Sequence, residues 1–328
     1  MPFTAILHII LFLCFGFIFG ILTGFFGVGG GFLVTPALNI LGFPMVHAIG
    51  TSFAVIVANT LVGAVKHYRL GNVDFRVGVL LGLVSMIGVE LGKRQVFYLE
   101  GLNLAGPFVR GAYIFSLLVI SMLMLLREYY RYVRPRKGRW KIEIKGTEQK
   151  KSALALRVSR IRMPPRISLS SLEAGSISIW ILLATGASVG FLSGFMGIGG
   201  GVVVVPLMIY VMGIPTMIAV GTSLVSTFLT SSYGMAVYAI AGKVEWSAVL
   251  IILVASVLGV QVGVHATMDI PPMKIRIFFA LFLLFVAIST LLKQIQMAIA
   301  SICVVSGSAL ILSLTILFRR IRKRSAIL

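Results

Sequence analysis

What this sequence lacks narrows its function first. Of its 328 residues only 12% are charged, and acids are scarce: 9 Asp and Glu against 29 Lys and Arg. A soluble domain carries about twice that charged share. The two cysteines, Cys14 and Cys303, stand near opposite ends of the chain, which leaves neither a disulfide framework nor a CxxC metal or redox motif. Four histidines, His8, His47, His67 and His265, are scattered at the ends of apolar runs and read as interfacial residues. No metal-ligand set can be assembled from them. There is no Walker motif, so ATP-driven transport by this chain alone has no support. No nucleophile–base pair is spaced for catalysis, so the chain is not expected to be an enzyme or to carry a cofactor.

What is present is apolar. Hydrophobic residues make up 59% of the chain, and the mean hydropathy is +1.05. Many runs approach or exceed the roughly 18 apolar residues that mark a membrane-spanning helix. Barrel strands alternate apolar and polar residues, and these runs do not. The expected fold class is therefore an all-α polytopic membrane protein. The first apolar run has no Lys or Arg before it, unlike a signal peptide, and reads as a retained helix.

One motif is written twice. Gly24-Phe25-Phe26-Gly27-Val28-Gly29-Gly30-Gly31 runs on to Pro36, and Gly194-Phe195-Met196-Gly197-Ile198-Gly199-Gly200-Gly201 runs on to Pro206. The likeness continues. Pro44, Gly50, Thr51 and Ser52 match Pro215, Gly221, Thr222 and Ser223, and Gly71, Ser85, Gly88 and Gly92 match Gly242, Ser256, Gly259 and Gly263. A period of this length is a domain duplication and not a solenoid. Each repeat is expected to hold five helical segments: a first helix, the glycine break, a half-length segment, and three full helices. The half-length segments cover about 32–41 and 202–212. An extra helix, about 296–317, closes the chain. The division reads as a first repeat, 1–126; a basic loop, 127–172; a second repeat, 173–293; and a terminal helix with a basic tail, 294–328.

Charge sets the expected orientation. Residues 127–171 hold 14 Lys and Arg against three Glu, and the tail contains Arg319-Arg320-Ile321-Arg322-Lys323-Arg324. Such clusters stay on the cytoplasmic side. With the glycine hairpin counted as an even number of crossings, the N-terminus is then outside and the C-terminus inside. The second repeat is inverted relative to the first. Lys66, Arg69 and Arg76 fall inside on this scheme, as do Lys274 and Arg276, read as loop charges. Lys93 and Arg94, read as a short loop with Glu100, fall outside against the rule. The basic loop is expected to meet anionic lipid headgroups and not nucleic acid, and it leaves room for a regulatory partner. A homodimer is compatible with the sequence.

A doubled break in apolar helix points to a buried transport site. The half-length segments leave the glycine tips as helix N-termini, whose bare N–H groups favour anions. The expected substrate-binding residues are Gly27, Gly29, Gly30 and Gly31 with Thr51 and Ser52, and Gly197, Gly199, Gly200 and Gly201 with Thr222 and Ser223. No Lys or Arg lies in the tips. Glu90, matched by Gln261, is the main acid in the apolar spans. It reads as an ion-pair partner of Lys93 and Arg94 or as a proton-coupling carboxylate.

Two copies of GFxGxGGG with a downstream proline and a GTS triplet resemble the TauE/SafE sulfite exporter family. The resemblance covers both repeats and implies a secondary permease of the plasma membrane for small sulfur-containing anions such as sulfite, sulfonates or thiosulfate. A permease for another inorganic or carboxylate anion, and a membrane scaffold or sensor acting through the basic loop, are the alternatives. The long basic loop exceeds what the family leads one to expect.

Overall fold

The computed structural model describes residues 2–133, 166–168 and 176–325. Most of the basic loop, and what was expected of it, lies outside the described residues. The first repeat comprises α1 (Pro2–Phe26), α2 (Gly31–Ile40), α3 (Met45–Arg69), α4 (Phe75–Gly101) and α5 (Ala105–Val133). The second comprises α6 (Ile179–Met196), α7 (Gly201–Leu207) continued by a π-helical turn (Met208–Met212), α8 (Thr216–Ile240), α9 (Trp246–Thr267) and α10 (Pro272–Gln294). The extra helix is α11 (Ala298–Ser325). Among the described residues seven helices are long and apolar enough to cross a membrane. Helix α8 is as long but falls below them because buried Ser and Thr residues line it. One exception to the all-α expectation is a short antiparallel pair, β1 (Arg166–Ser168) and β2 (Ser176–Ser178), leading into α6.

Helix α4 corrects an expectation. Lys93, Arg94 and Glu100 lie in helix, not in a loop. Glu90 pairs with Lys93 and Arg94 at three and four residues, and such spacing extends a helix through its charged end. Asp74 starts the helix, its carboxylate accepting from the N–H groups of Arg76 and Val77 at 3.1 and 3.2 Å, as an N-cap should.

The repeats do not pack side by side; they interlock. The most extensive contacts are α1 with α9, α4 with α6, α3 with α8 and α5 with α10. Glycines make the first two possible. A Cβ on Gly20 would stand 2.0 Å from the Ser256 carbonyl oxygen, and one on Gly190 2.0 Å from that of Ser85. Ser85 and Ser256 are repeat partners, so the same backbone-to-backbone contact is built twice. In hydrocarbon there is little hydrophobic drive between helices, and such close approach supplies the attraction. The contacts also fix direction. Gly16, Gly20 and Gly24 meet Ile252, Ser256 and Val260 in the same order, so α1 and α9 run parallel. Gly50 meets Lys243 and Gly63 meets Leu224, so α3 and α8 run antiparallel. Helices α5 and α10 are antiparallel as well: Ser121 bonds Ala280, and Arg110 bonds Gln294.

Candidate functional site

Six glycines at the two breaks adopt positive φ. Gly27, Gly29 and Gly30 stand at 71°, 70° and 85°, and Gly197, Gly199 and Gly200 at 74°, 68° and 87°. A side chain is strained in this region, which is why the motif is spelled in glycine. The turns they make bring Gly31 and Gly201 to the starts of α2 and α7. The two tips then touch. A Cβ on Gly31 would lie 2.5 Å from the Gly197 carbonyl oxygen, and one on Gly201 2.4 Å from that of Val28.

Around the contact the crossing of α3 and α8 supplies the walls. Gly29 faces the methyls of Ile56, Thr60 and Thr227, while Gly199 faces the methyls of Ile56 and Thr227 and the hydroxyl of Ser231. Ile56 and Thr227 are repeat partners, as are Thr60 and Ser231. The two tips therefore meet matching residues of the two repeats at this crossing. Every tip residue from Gly24 to Gly31 and from Gly194 to Gly201 is buried. Among the described residues the N–H groups of Gly29, Gly30, Gly31, Gly199, Gly200 and Gly201 make no hydrogen bond. The hydroxyls of Thr23, Ser193, Ser226, Thr227 and Ser231, all buried, also lack a partner. Buried polar groups in such numbers without partners are uncommon and call for a ligand or water.

The GTS triplets take a different place from the one expected of them. The Ser52 hydroxyl donates to the Gly197 carbonyl at 3.0 Å, and the Ser223 hydroxyl donates to that of Gly27. The Thr51 hydroxyl accepts from the Glu245 N–H at 3.0 Å, and the Thr222 hydroxyl accepts from the Asp74 N–H at 2.8 Å. Each triplet thus fastens the other repeat: its serine holds the opposite tip, and its threonine holds the opposite turn. A serine has one proton, and here both protons are committed to backbone. The unpartnered hydroxyls lie one and two turns further along α8, at Ser226, Thr227 and Ser231, and sequence reading missed them. Their signal was the polar run Ser226-Thr227 to Thr230-Ser231 in an otherwise apolar helix.

Other expectations are placed as follows. The Glu90 carboxylate sits 2.8 Å from Lys93 and 2.9 Å from Arg94 and accepts from the Tyr233 hydroxyl at 3.2 Å. It is a partly exposed ion-pair hub on α4. Gln261 is exposed, its carbonyl approached by Lys66 and His265. Of the histidines, His47 pairs with Glu245 at 3.3 Å and His265 is exposed. The His8 side chain lies outside the described residues. His67 departs from the expectation: it is fully buried, because α1 and α8 close over the last turn of α3. Arg276 is no loop charge either. It lies in the first turns of α10, 2% exposed, with its guanidinium 2.8 Å from Glu128 and 2.8 Å from the Thr216 hydroxyl.

Long apolar helices, two facing breaks and buried, unpartnered donors between them define a polytopic membrane protein of the transporter class. The model of the sulfite exporter TauE/SafE family matches residues 12–290. A probable membrane transporter protein of Methanocaldococcus jannaschii is 25% identical over 295 residues, covering 85% of this chain and 94% of its own. Another from Haemophilus influenzae is 29% identical over 308 residues, covering 87% and 98%. YunE of Bacillus subtilis, also a probable membrane transporter protein, is 29% identical over 257 residues, covering 76% and 84%. No solved structure matches. The chain belongs to the sulfite exporter TauE/SafE family of membrane transporters.

Proposed function

We propose that this chain is a secondary permease of the plasma membrane that moves a small sulfur-containing anion, held between the two glycine tips. The observation that carries the reading is the set of six buried, unpartnered glycine N–H groups at two abutting helix starts. Backbone donors at a helix start favour an anion. The absence of Lys and Arg from the tips suits a carrier, which must release what it binds. The serine and threonine fastenings then hold the cradle in shape, and Thr227 and Ser231 stand beside it as further donors.

The reading includes inverted repeats with the N-terminus outside. Helices α3 and α8 occupy matching places in the two repeats and run antiparallel, as do α5 and α10. A twofold along the membrane normal would make them parallel, so these directions favour an axis in the membrane plane. Side assignments agree. Lys243 pairs with Glu100 at 2.7 Å, and Glu245 with His47. All four fall outside on this scheme.

The test is flux of labelled sulfite, methanesulfonate and thiosulfate into proteoliposomes, with competition by chloride, acetate and sulfate. Saturable uptake of at least one sulfur anion is expected. Transport of a carboxylate alone would hand the function to the alternative, and no flux of any anion would reject it. For topology, single cysteines at Asn72 and Gly242, in a chain without Cys14 and Cys303, should differ. An impermeant thiol reagent outside the cell should label the second and spare the first.

A further inference from the structure

His67 lies in the last turn of α3 beside Lys66 and Arg69, yet its ring is enclosed. Its Nε2 is 3.4 Å from the carbonyl oxygen of Gly24, the residue that opens the first tip. A carbonyl only accepts, so Nε2 carries the hydrogen and Nδ1 is the bare acceptor. That Nδ1 is buried and has no partner among the described residues. The ring's Cβ faces Gly221, and the carbonyl of the adjacent Val220 faces Gly27. The ring and the first tip are thus held by the same corner of α8. In the second repeat Tyr238 occupies the matching position, and its hydroxyl donates to the Gly194 carbonyl at 2.8 Å. The bond from the third helix to the first is duplicated. The spare buried acceptor is not.

We propose that Nδ1 of His67 is a proton-binding site and that the chain carries a proton together with its anion; this rests on the anion reading above. The proton adds to the Nδ1 lone pair, the Nε2 bond to Gly24 stays, and no other bond changes. An imidazolium enclosed here is costly without a counter-charge, and an anion at the adjacent tip supplies one. By linkage the proton raises anion affinity by the same factor that the anion raises proton affinity. Neutral backbone donors then hold the anion firmly while the ring is charged and release it when the proton leaves. Little else competes for the ring. Helix α8 has no charged residue, its Tyr233 and Tyr238 lying toward its far end, and α1 offers only Cys14 and His8, further from the tip. On α3, Lys66 reaches the Gln261 carbonyl and Arg69 is exposed. In the following turn Asp74 caps α4, and Arg76 is exposed. On α9, His265 is exposed.

The test uses the full chain in proteoliposomes with methanesulfonate, which takes up no proton of its own near neutral pH, and a lumenal pH dye. In the wild type, anion entry should acidify the lumen, and an inward proton gradient should drive accumulation. His67→Gln retains a donor toward Gly24, and His67→Tyr copies the second repeat. In both, gradient-driven accumulation should fall at least tenfold while downhill exchange persists. Wild-type flux without proton movement, or a folded variant with unchanged protons per anion, overturns the proposal. Loss of all anion flux in the wild type rejects the anion reading instead. The proton site is read separately by 15N-histidine NMR of the purified protein. A His67 ring that takes up a proton somewhere within roughly pH 5 to 8 supports the site. A ring that stays neutral throughout that range, with methanesulfonate present, rejects it whatever the flux shows.

Discussion

Gly27, Gly29 and Gly30 and their partners Gly197, Gly199 and Gly200 agree in φ to within a few degrees. The side chains that hold them do not agree. The second tip is fastened by four hydroxyls: Ser52 and Thr35 donate to the Gly197 carbonyl at 3.0 and 3.2 Å, Tyr113 donates to that of Met196 at 2.8 Å, and Tyr238 to that of Gly194 at 2.8 Å. The first tip is fastened by Ser223 at the Gly27 carbonyl, with longer contacts from Thr267 to Phe25 at 3.4 Å and from Tyr113 to Gly31 at 3.5 Å. Where Thr35 and Tyr113 stand in the first repeat, the second has Val205 and Phe279. Phe279 packs with Phe26 and Phe32 at ring separations of 5.0 and 6.3 Å, so the first tip rests on an aromatic cluster. Further out the repeats differ again. Arg276 pairs with Glu128 in a fully buried setting, whereas the matching Arg110 bonds neutral Gln294 and Asn39 near the surface. Duplication has kept the backbone and let the fastenings diverge. On the permease reading this is what directionality requires. Two half-sites held by identical bonds would give the two exposures equal weight, and different bonds set a resting state.

The largest effect should come from destroying the shared part. Gly30→Val with Gly200→Val forces β-branched residues into φ near +85° and should abolish flux. The single changes should be unequal. A Cβ at Gly30 meets Thr23 Oγ1 at 2.2 Å and the Phe19 ring at 2.5 Å, whereas at Gly200 it meets only a Val189 methyl at 2.7 Å. Gly30→Ala should therefore lower the thermal midpoint in detergent more than Gly200→Ala. Full flux from a folded double valine variant would show that the tips only pack helices.

Next in size are the arginine fastenings. Arg276→Met takes the cation from buried Glu128, which keeps the Tyr210 hydroxyl at 3.3 Å, a loss of about 3 kcal/mol. Arg110→Met removes partly exposed, neutral contacts, a loss of about 1 kcal/mol. Adding Glu128→Leu to Arg276→Met should recover most of the midpoint. Equal shifts for the two arginine variants would erase this difference between the halves.

The hydroxyl fastenings come third. Ser223→Ala should cost about 1 kcal/mol and raise KM, since among the described residues no other hydroxyl reaches the Gly27 carbonyl. Ser52→Ala should do less alone, because Thr35 reaches the same oxygen. Thr35→Val with Tyr113→Phe rewrites the second tip in the first tip's residues and should shift the balance of inward and outward flux. A transport ratio unchanged by that pair would sever fastening from direction.

The duplicated elements were legible because their physics is local. Glycine where φ turns positive, proline at a helix start and apolar runs of set length each leave a mark at their own position. Sequence likeness says which segments correspond, however, and not which ones touch. That α1 lies against α9, and α4 against α6, follows from glycines whose neighbours are distant in the chain. The same gap hid the partners of Ser52 and Ser223, which read as ligand donors. Arg276 read as a loop cation because its partner lies 148 residues away. His67 read as interfacial because it stands at the end of an apolar run. Only its alignment with Tyr238, inside a strictly repeated helix, hinted at a shared buried bond.

The smallest expected effect belongs to the place where one substitution makes the repeats alike. Glu90→Gln gives position 90 the residue found at Gln261. The carboxylate lies between Lys93, 19% exposed, and Arg94, 73% exposed, so both pairs lie at the protein's surface. Pairs of this kind are worth about 0–1 kcal/mol each. Gln retains an oxygen that can accept from the Tyr233 hydroxyl, now bonded at 3.2 Å. The variant should therefore lose about 1 kcal/mol, with an upper bound of about 2 for the two pairs together, less at high salt, and its flux should keep the wild-type response to a pH gradient. The comparison with His67→Gln gives the result its force. If coupling sits on His67, one Gln substitution removes the proton response and the other leaves it whole. If Glu90→Gln instead abolishes gradient-driven uptake while His67→Gln does not, the coupling acid is the one at the surface of α4. The buried imidazole would then be a packing residue that bonds α1.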